Sequence, residues 1–282
     1  MKITILGLAA TLALSTAALA QDGPQRIVAI GGSLTEIVYA LGQQDRLIAR
    51  DTTSVFPQEA LALPDVGYMR ALSPEGVLSV DPDLILTLEG AGPPEAMDVI
   101  RSASVPVVTV PESFDREGVL AKVEAVGDAL GVENEAAELA RRIDADLQAA
   151  EEAASGIDDP ARVLFILSME GGRVMASGTR TAADGMIRLA GGDNAITDYA
   201  GYKQLTDEAI VTAAPDVILL MDRGGNLDPA PVDLSTQPAL AATPAGESGR
   251  VIRMDGAYLL GFGPRTADAA MELAAKLHAE AD

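Results

Sequence analysis

The feature that most restricts the fold is an internal repeat. Ser73 to Leu86, SPEGVLSVDPDLIL, aligns with Thr206 to Leu219, TDEAIVTAAPDVIL, at a constant offset of 133 residues. Each copy reads as a hydroxyl N-cap, an acidic first turn, a short apolar helix, a Pro-Asp turn and a buried strand. A looser pair precedes each copy, GGSLTEIVYALG from Gly31 and SGTRTAADGMIRLAGG from Ser177. Any helix-turn-strand unit would give part of this likeness, whereas duplication of a lobe explains both pairs together. Between the copies, Glu133 to Ser155 carries apolar residues at Ala136, Leu139, Ala140, Ile143, Leu147 and Ala150, the stripe of a helix with one buried face. Gly131 ends the helix before it and Gly156 ends this one. At about 1.5 Å per residue the stretch is a rod of roughly 35 Å, long enough to join two small lobes. The spacing predicts an N-terminal α/β lobe over 21–132, a connecting helix over 133–156 and a C-terminal α/β lobe over 157–282.

The first 20 residues have another logic. Lys2, the apolar run Ile3 to Leu14 and Ala18-Leu19-Ala20 are the three regions of a cleaved secretory signal peptide, and the run is too short for a membrane span. An exported, soluble, periplasmic chain is expected. It has no cysteine, so its lobes rest on packed cores alone, and neither thiolate chemistry nor a lipid anchor on cysteine is available. With 20 basic against 42 acidic residues, the net charge of −22 repels nucleic acid and anionic lipid. An anionic ligand would need a local cluster of cations. The single histidine, His278, sits in a polar final helical turn, which excludes histidine-clustered zinc and Ser-His-Asp catalysis together.

Along the N-terminal lobe, a strand over Arg26–Ile30 meets the Gly31-Gly32 turn, and Ser33-Leu34-Thr35-Glu36 reads as a capping box. Neither glycine signature of a nucleotide site follows the strand, and Ser33 has no partner base for nucleophilic catalysis. In the C-terminal lobe the pattern predicts a hairpin through Gly171-Gly172, a helix over Thr181–Ala190, a loop over Gly191–Gln204, a long surface loop over Asp222–Thr236 and a last helix over Pro264–Ala281. Strands alternate with helices in both halves, the pattern of parallel sheets covered on both faces.

Five tyrosines, four phenylalanines and no tryptophan leave few aromatic candidates for a ligand site. Tyr68 lies in the loop Pro64–Leu72, off any periodic stripe and two residues from Arg70. A guanidinium there would favour the phenolate, a hard anionic donor suited to ferric iron; the plainer reading is a loop tyrosine packed over the sheet end. Tyr202, just before the second repeat copy, is open to the same two readings. Arg265, in Gly261-Phe262-Gly263-Pro264-Arg265, either faces the cleft between lobes or is an ordinary surface charge.

VGYMRALSPEGVLSVDPDLIL, GTRTAADGMIRLAGGDNA, GYKQLTDEAIVTAAPDVIL and GFGPRT together resemble the periplasmic haemin-binding proteins of ABC haem importers, the HmuT type. The likeness covers essentially the whole mature chain. It implies the class III periplasmic binding protein architecture, two α/β lobes joined by one long helix, with haem as the transported ligand in the cleft and no catalytic cofactor. It also implies that Tyr68 ligates the haem iron with Arg70 beside it. Tyr202, Met69 and Met169 are then expected to line the pocket, with Met169 or Met175 available as a further iron ligand. Arg265 is expected at the propionates, with Arg173 and Arg180 as less favoured alternatives. Some members add a C-lobe histidine as a second iron ligand, which this chain lacks. Glu95 and Glu208, one per lobe, are expected to meet arginines of the permease dimer. The resemblance implies a monomeric binding protein, not an enzyme, delivering haem to a permease. A carrier of ferric siderophore or corrinoid is the alternative within the class, and an exported hydrolase the alternative outside it.

Overall fold

The computed structural model describes residues 23–222 and 237–279. The expected signal peptide and residues 223–236 of the expected surface loop lie outside the described residues. No described helix is long and apolar enough to cross a membrane.

The N-terminal half runs β1 (Ile27–Ile30), α1 (Gly32–Ala40), β2 (Leu47–Arg50), α2 (Pro74–Leu78), β3 (Leu84–Leu88), α3 (Pro94–Ser102), β4 (Val107–Val110) and α4 (Arg116–Leu130). The helix α5 (Glu133–Ser155) follows with the bounds its periodicity predicts. The C-terminal half runs β5 (Arg162–Glu170), β6 (Arg173–Ser177), α6 (Ala182–Leu189), β7 (Asp193–Asn194), β8 (Tyr202–Leu205), α7 (Asp207–Ala213), β9 (Val217–Asp222), α8 (Pro238–Ala241), α9 (Pro244–Ser248), β10 (Val251–Asp255), α10 (Gly256–Leu260) and α11 (Thr266–Leu277).

The first sheet has the order β2-β1-β3-β4 and is parallel throughout. The second has the order β10-β9-β5-β6-β8, with β7 beside β5. Here the expectation of a parallel sheet needs correction. β10, β9 and β5 are parallel, but β6 runs antiparallel to both β5 and β8. The cause is local: Gly171 (φ 56°) and Gly172 (φ 80°) take the positive angles of a two-residue hairpin turn, which folds β6 back on β5. β8 forms at the end of a stretch expected to be loop.

The repeat is realised bond for bond. Asp83 accepts the backbone N–H groups of Gln25 and Arg26, each at 2.8 Å, and its counterpart Asp216 accepts that of Arg162 at 2.9 Å. Arg26 Nη2 donates to the Val80 carbonyl at 2.6 Å, and Arg162 Nη2 to that of Ala213 at 2.8 Å. Asp81 (φ 54°) and Ala214 (φ 40°), both left-handed without being glycine, hold the same place in the two turns. Ser73 and Thr206 cap their helices as expected, through the N–H groups of Gly76 and Ala209.

The capping box of α1 is not formed. Gly31 is the N-cap, and the free N–H groups at this end are taken from a distance: Asp51 Oδ1 accepts from Gly31 at 3.0 Å and Thr53 Oγ1 from Gly32 at 3.2 Å. That releases Ser33 and Glu36 to face the other lobe. The final helix starts at Thr266, with Arg265 as its N-cap, rather than at Pro264.

All six stripe residues of α5 are buried, and the helix lies along α4 and α11 rather than spanning open solvent. One apolar core runs from β1 and α4 through α5 to α6 and α11, and a smaller one fills the other face of the second sheet. Lys122 of α4 is 0 % exposed at the seam between the lobes. Its ammonium donates to Glu112 at 2.9 Å, to the Phe262 carbonyl at 3.1 Å and to Ser33 at 3.4 Å, the full complement a buried ammonium needs. Phe262 in turn meets Phe114 edge-on, with centroids 5.3 Å apart. α6 approaches so closely that a Cβ at Gly185 would collide with the Phe114 carbonyl.

Candidate functional site

The loop after β2 is held against the loop after β3 by paired bonds, Leu72 N–H to the Gly92 carbonyl and Gly92 N–H to the Met69 carbonyl, both 2.8 Å. Asp65 anchors its start, accepting the Gly67 N–H at 2.8 Å and pairing with Arg50 at 3.2 Å. Gly67 has φ 104°, where a side chain would be strained. The loop therefore presents alternate residues. Tyr68 is 47 % exposed and Arg70 is exposed, while Met69 between them is only 7 % exposed and packs in the apolar core. Met69, expected to line the pocket, is thus turned inward by the alternation that turns Tyr68 and Arg70 outward.

On the other lobe, β8 pairs with β6 so that Tyr202 stands opposite Ser177 and Gln204 opposite Met175. Tyr202 is 37 % exposed, and its ring meets Phe165 edge-on at 6.5 Å. Its phenol lies near the Thr181 hydroxyl and the Ala183 backbone N–H at the start of α6, and both favour its anion. Burial raises its pKa above the ordinary tyrosine value, against the downward pull of Thr181, Ala183 and the Arg70 charge, so the phenol is neutral at physiological pH. That Arg70 acts on Tyr202 sets the N-lobe loop facing the C-lobe strand. Directly opposed residues share a face of an antiparallel pair, so Met175 and Gln204 are on one face and Ser177 and Tyr202 on one face, two residues along from it. Met169 packs against the smaller core on the other face, so of the two expected methionines only Met175 shares the face of Tyr202.

Arg265 reaches the seam but is fully engaged. Its Nε and Nη2 form a bidentate pair with Glu36 at 2.9 and 2.6 Å. The guanidinium also stacks on the rings of Phe56 at 3.6 Å and Tyr258 at 5.0 Å. Burial opposes its charge, but the bonds and charge of Glu36 outweigh burial and hold its pKa above the ordinary value. Val55, Phe56, Asp255, Tyr258 and Arg265 enclose an open pocket of about 260 Å³. With its charge matched by Glu36, Arg265 is a tie between lobes and not the free cation that propionate binding was expected to use.

Glu95 and Glu208 are exposed in the first turns of α3 and α7. The 133-residue repeat pairs Glu208 with Glu75, exposed in the first turn of α2, rather than with Glu95. His278 is an exposed residue at the end of α11, as read from the sequence. Among the described residues no cluster of three or more His, Cys, Asp or Glu side chains is arranged to hold a metal ion. Two functional residues escaped the sequence reading: Lys122, whose signal was a lysine on the apolar stripe Val119-Val123-Val126, and Glu36, whose partner is 229 residues away.

Residues 27–258 match the family model described as periplasmic binding protein. Among solved structures, the periplasmic heme-binding protein BhuT in complex with two hemes is 43 % identical with a TM-score of 0.82, covering 89 % of this chain and 97 % of that one. The apo form of the periplasmic heme-binding protein RhuT from Roseiflexus sp. RS-1 is 36 % identical with a TM-score of 0.83, covering 92 % of this chain and 100 % of that one. Among curated proteins, the uncharacterized ABC transporter substrate-binding lipoprotein YvrC of Bacillus subtilis is 32 % identical over 202 residues, 71 % of this chain and 64 % of that protein's length. Two α/β lobes joined by one long helix, and a family match that spans both of them, place the chain in the periplasmic binding protein family.

Proposed function

We propose that the protein is a periplasmic carrier that captures ferric haem in the cleft between its lobes and delivers it to the permease dimer of an ABC importer, acting as a monomer and not as an enzyme. The observation that supports this reading is the exposed Tyr68, two residues from the Arg70 whose charge acts on Tyr202 of the other lobe. The heme-binding proteins to which the chain is similar support haem as the cargo. Ferric iron is a hard acid, and with no cysteine and no histidine but His278 the strong donors left are phenolate and carboxylate. Tyr68 loses its proton as it binds iron, and the Arg70 guanidinium favours the resulting anion. Reduction to Fe(II) weakens the bond because the softer ion gains less from a phenolate. Residues 1–20 act as the leader that directs export.

Titration of the purified protein with haemin tests the reading. A saturable Soret shift that cyanocobalamin and ferric siderophores do not compete away is the expected result. Displacement by cyanocobalamin at equal concentration would instead make a corrinoid the cargo.

Docking to the permease uses acidic side chains from both lobes, Glu95 and Glu208, with Glu75 added as the repeat mate of Glu208. The combination Glu75→Ala, Glu95→Ala and Glu208→Ala is expected to abolish haem transport in cells while leaving haem affinity unchanged. Restoring each glutamate singly then shows which N-lobe residue pairs with Glu208.

A further inference from the structure

We propose that Glu36 and Arg265 are a clasp that, with the Lys122 contact beside it, fixes a single setting of the two lobes, and that its role is to specify that setting rather than to stabilise the fold. The proposal goes beyond the carrier reading and holds whatever the cargo. The clasp is built on Phe262-Gly263-Pro264-Arg265, the segment that leads into α11. Two contacts of opposite polarity run from this short segment to the N-terminal lobe. The Phe262 carbonyl accepts the Lys122 ammonium of α4 at 3.1 Å. Three residues later, Arg265 donates two bonds to Glu36 of α1, at 2.9 and 2.6 Å. Between them Gly263 lies so near α1 that an added Cβ would stand 3.3 Å from the Ser33 Cβ.

The N-terminal lobe presents a preformed socket to the guanidinium. Asp51, 0 % exposed, ties the loop after β2 to the start of α1. Its Oδ1 accepts the Gly31 N–H at 3.0 Å and the Ser54 hydroxyl at 2.7 Å, and its Oδ2 accepts the Thr53 N–H at 3.0 Å. Thr35 Oγ1, one residue before Glu36, donates to Ser54 Oγ at 2.8 Å. Phe56 on that loop and Glu36 on that helix are thereby set relative to each other, and Arg265 Cζ lies 3.6 Å from the Phe56 ring centroid. On the other lobe Phe262 is held at φ 47°, a left-handed angle that is costly without glycine and persists where the surroundings enforce it. The apolar contacts across the seam attract without direction. The polar ones do not. Sliding one lobe against the other would deprive the Lys122 ammonium, 0 % exposed, of the Phe262 carbonyl and the Glu36 carboxylate, 8 % exposed, of its cation. Replacing a buried ion pair by well-packed apolar side chains is often neutral or stabilising, so what such a pair supplies here is a unique arrangement.

The chain has no cysteine, so Val99→Cys on α3 and Val211→Cys on α7, both exposed positions, accept one spin label per lobe. Pulsed electron paramagnetic resonance then reads the distance between the lobes in haem-free protein. The labelled parent should give one narrow distance. Glu36→Met with Arg265→Met replaces the pair by apolar side chains. In that double variant the melting temperature should match or exceed the parent's while the single distance spreads into a broad or divided distribution. Arg265→Lys keeps the charge but loses the two-pronged geometry, and should broaden the distance as well. It carries the test if the double variant does not fold. A parent-like distance in both variants would assign the lobe setting to the apolar seam, and a lowered melting temperature in the double variant would make the clasp an ordinary stabilising contact. Either result overturns the proposal.

Discussion

Tyr68 of the first lobe and Tyr202 of the second are set in their surroundings in opposite ways. Tyr68 projects from a loop anchored at Asp65 and Gly92 and is 47 % exposed. Tyr202 grows from a paired strand, leans on Phe165, and has its hydroxyl near Thr181 and Ala183 at the start of α6. A phenol donates to ferric iron as its anion. Ligation through Tyr202 would have to ionise a group that burial keeps neutral. We propose that this contrast makes Tyr68 the ligand and Tyr202 a wall.

The sharpest way to break the contrast is to delete one hydroxyl at a time. Tyr68→Phe keeps the ring and removes the donor, and should lower haemin affinity by about 100-fold, roughly 2.7 kcal/mol, with loss of the phenolate-to-iron charge-transfer band. Visible spectroscopy with affinity measurement reads both, and a spectrum unchanged from the parent would move the iron to another donor.

Arg70 lies two residues from Tyr68 and its charge acts on Tyr202, so Arg70→Ala tests them together. Haemin affinity should fall about tenfold as the cation next to Tyr68 is removed. In the same variant the Tyr202 phenol, whose pKa Arg70 pulls down, should titrate still further above its ordinary value, read by ultraviolet difference absorbance.

Tyr202→Phe should have the smallest effect. Its haemin spectrum should match the parent and affinity should change only a few-fold. The sign of the pH effect follows from the raised pKa of the folded state. The unfolded tyrosine, with a pKa near 10, gives up its proton first, so the stabilising share of Tyr202 is complete below about pH 10 and is lost as pH climbs through the folded value. Tyr39, Tyr199 and Tyr258 are raised as well, by burial first, so Tyr202→Phe should flatten the alkaline fall in urea stability without removing it.

The two walls were also unequally legible. α5 and the repeat units are read from the chain because their signals are local: an apolar stripe, a hydroxyl cap, a Pro-Asp turn. The first sheet follows from the same units. β8 was hidden because Tyr202, Lys203 and Gln204 are all exposed, which erases the alternation that marks a strand. The cap of α1 was misread because the acceptor, Asp51, comes from a loop 20 residues further on and not from Ser33. Arg265 was seen as a cleft cation, but its neutralising partner Glu36 is 229 residues away, and no local pattern records such a pairing. Tyr68 stood out for the converse reason: it fitted no periodic stripe, and residues placed by a loop against a ligand need none.

Asp81 and Ala214, each left-handed in a place that suits glycine and each closing the same turn, sit at the repeat offset of 133 residues, as copies of one half-molecule would. A chain built from two copies of a half-molecule begins with two equivalent walls. Once α5 joins them in a single polypeptide, a change to one wall no longer imposes itself on the other. Fusion is what allows one tyrosine to be kept free and the other bound, so the asymmetry on which capture depends is a product of gene architecture as much as of side-chain chemistry.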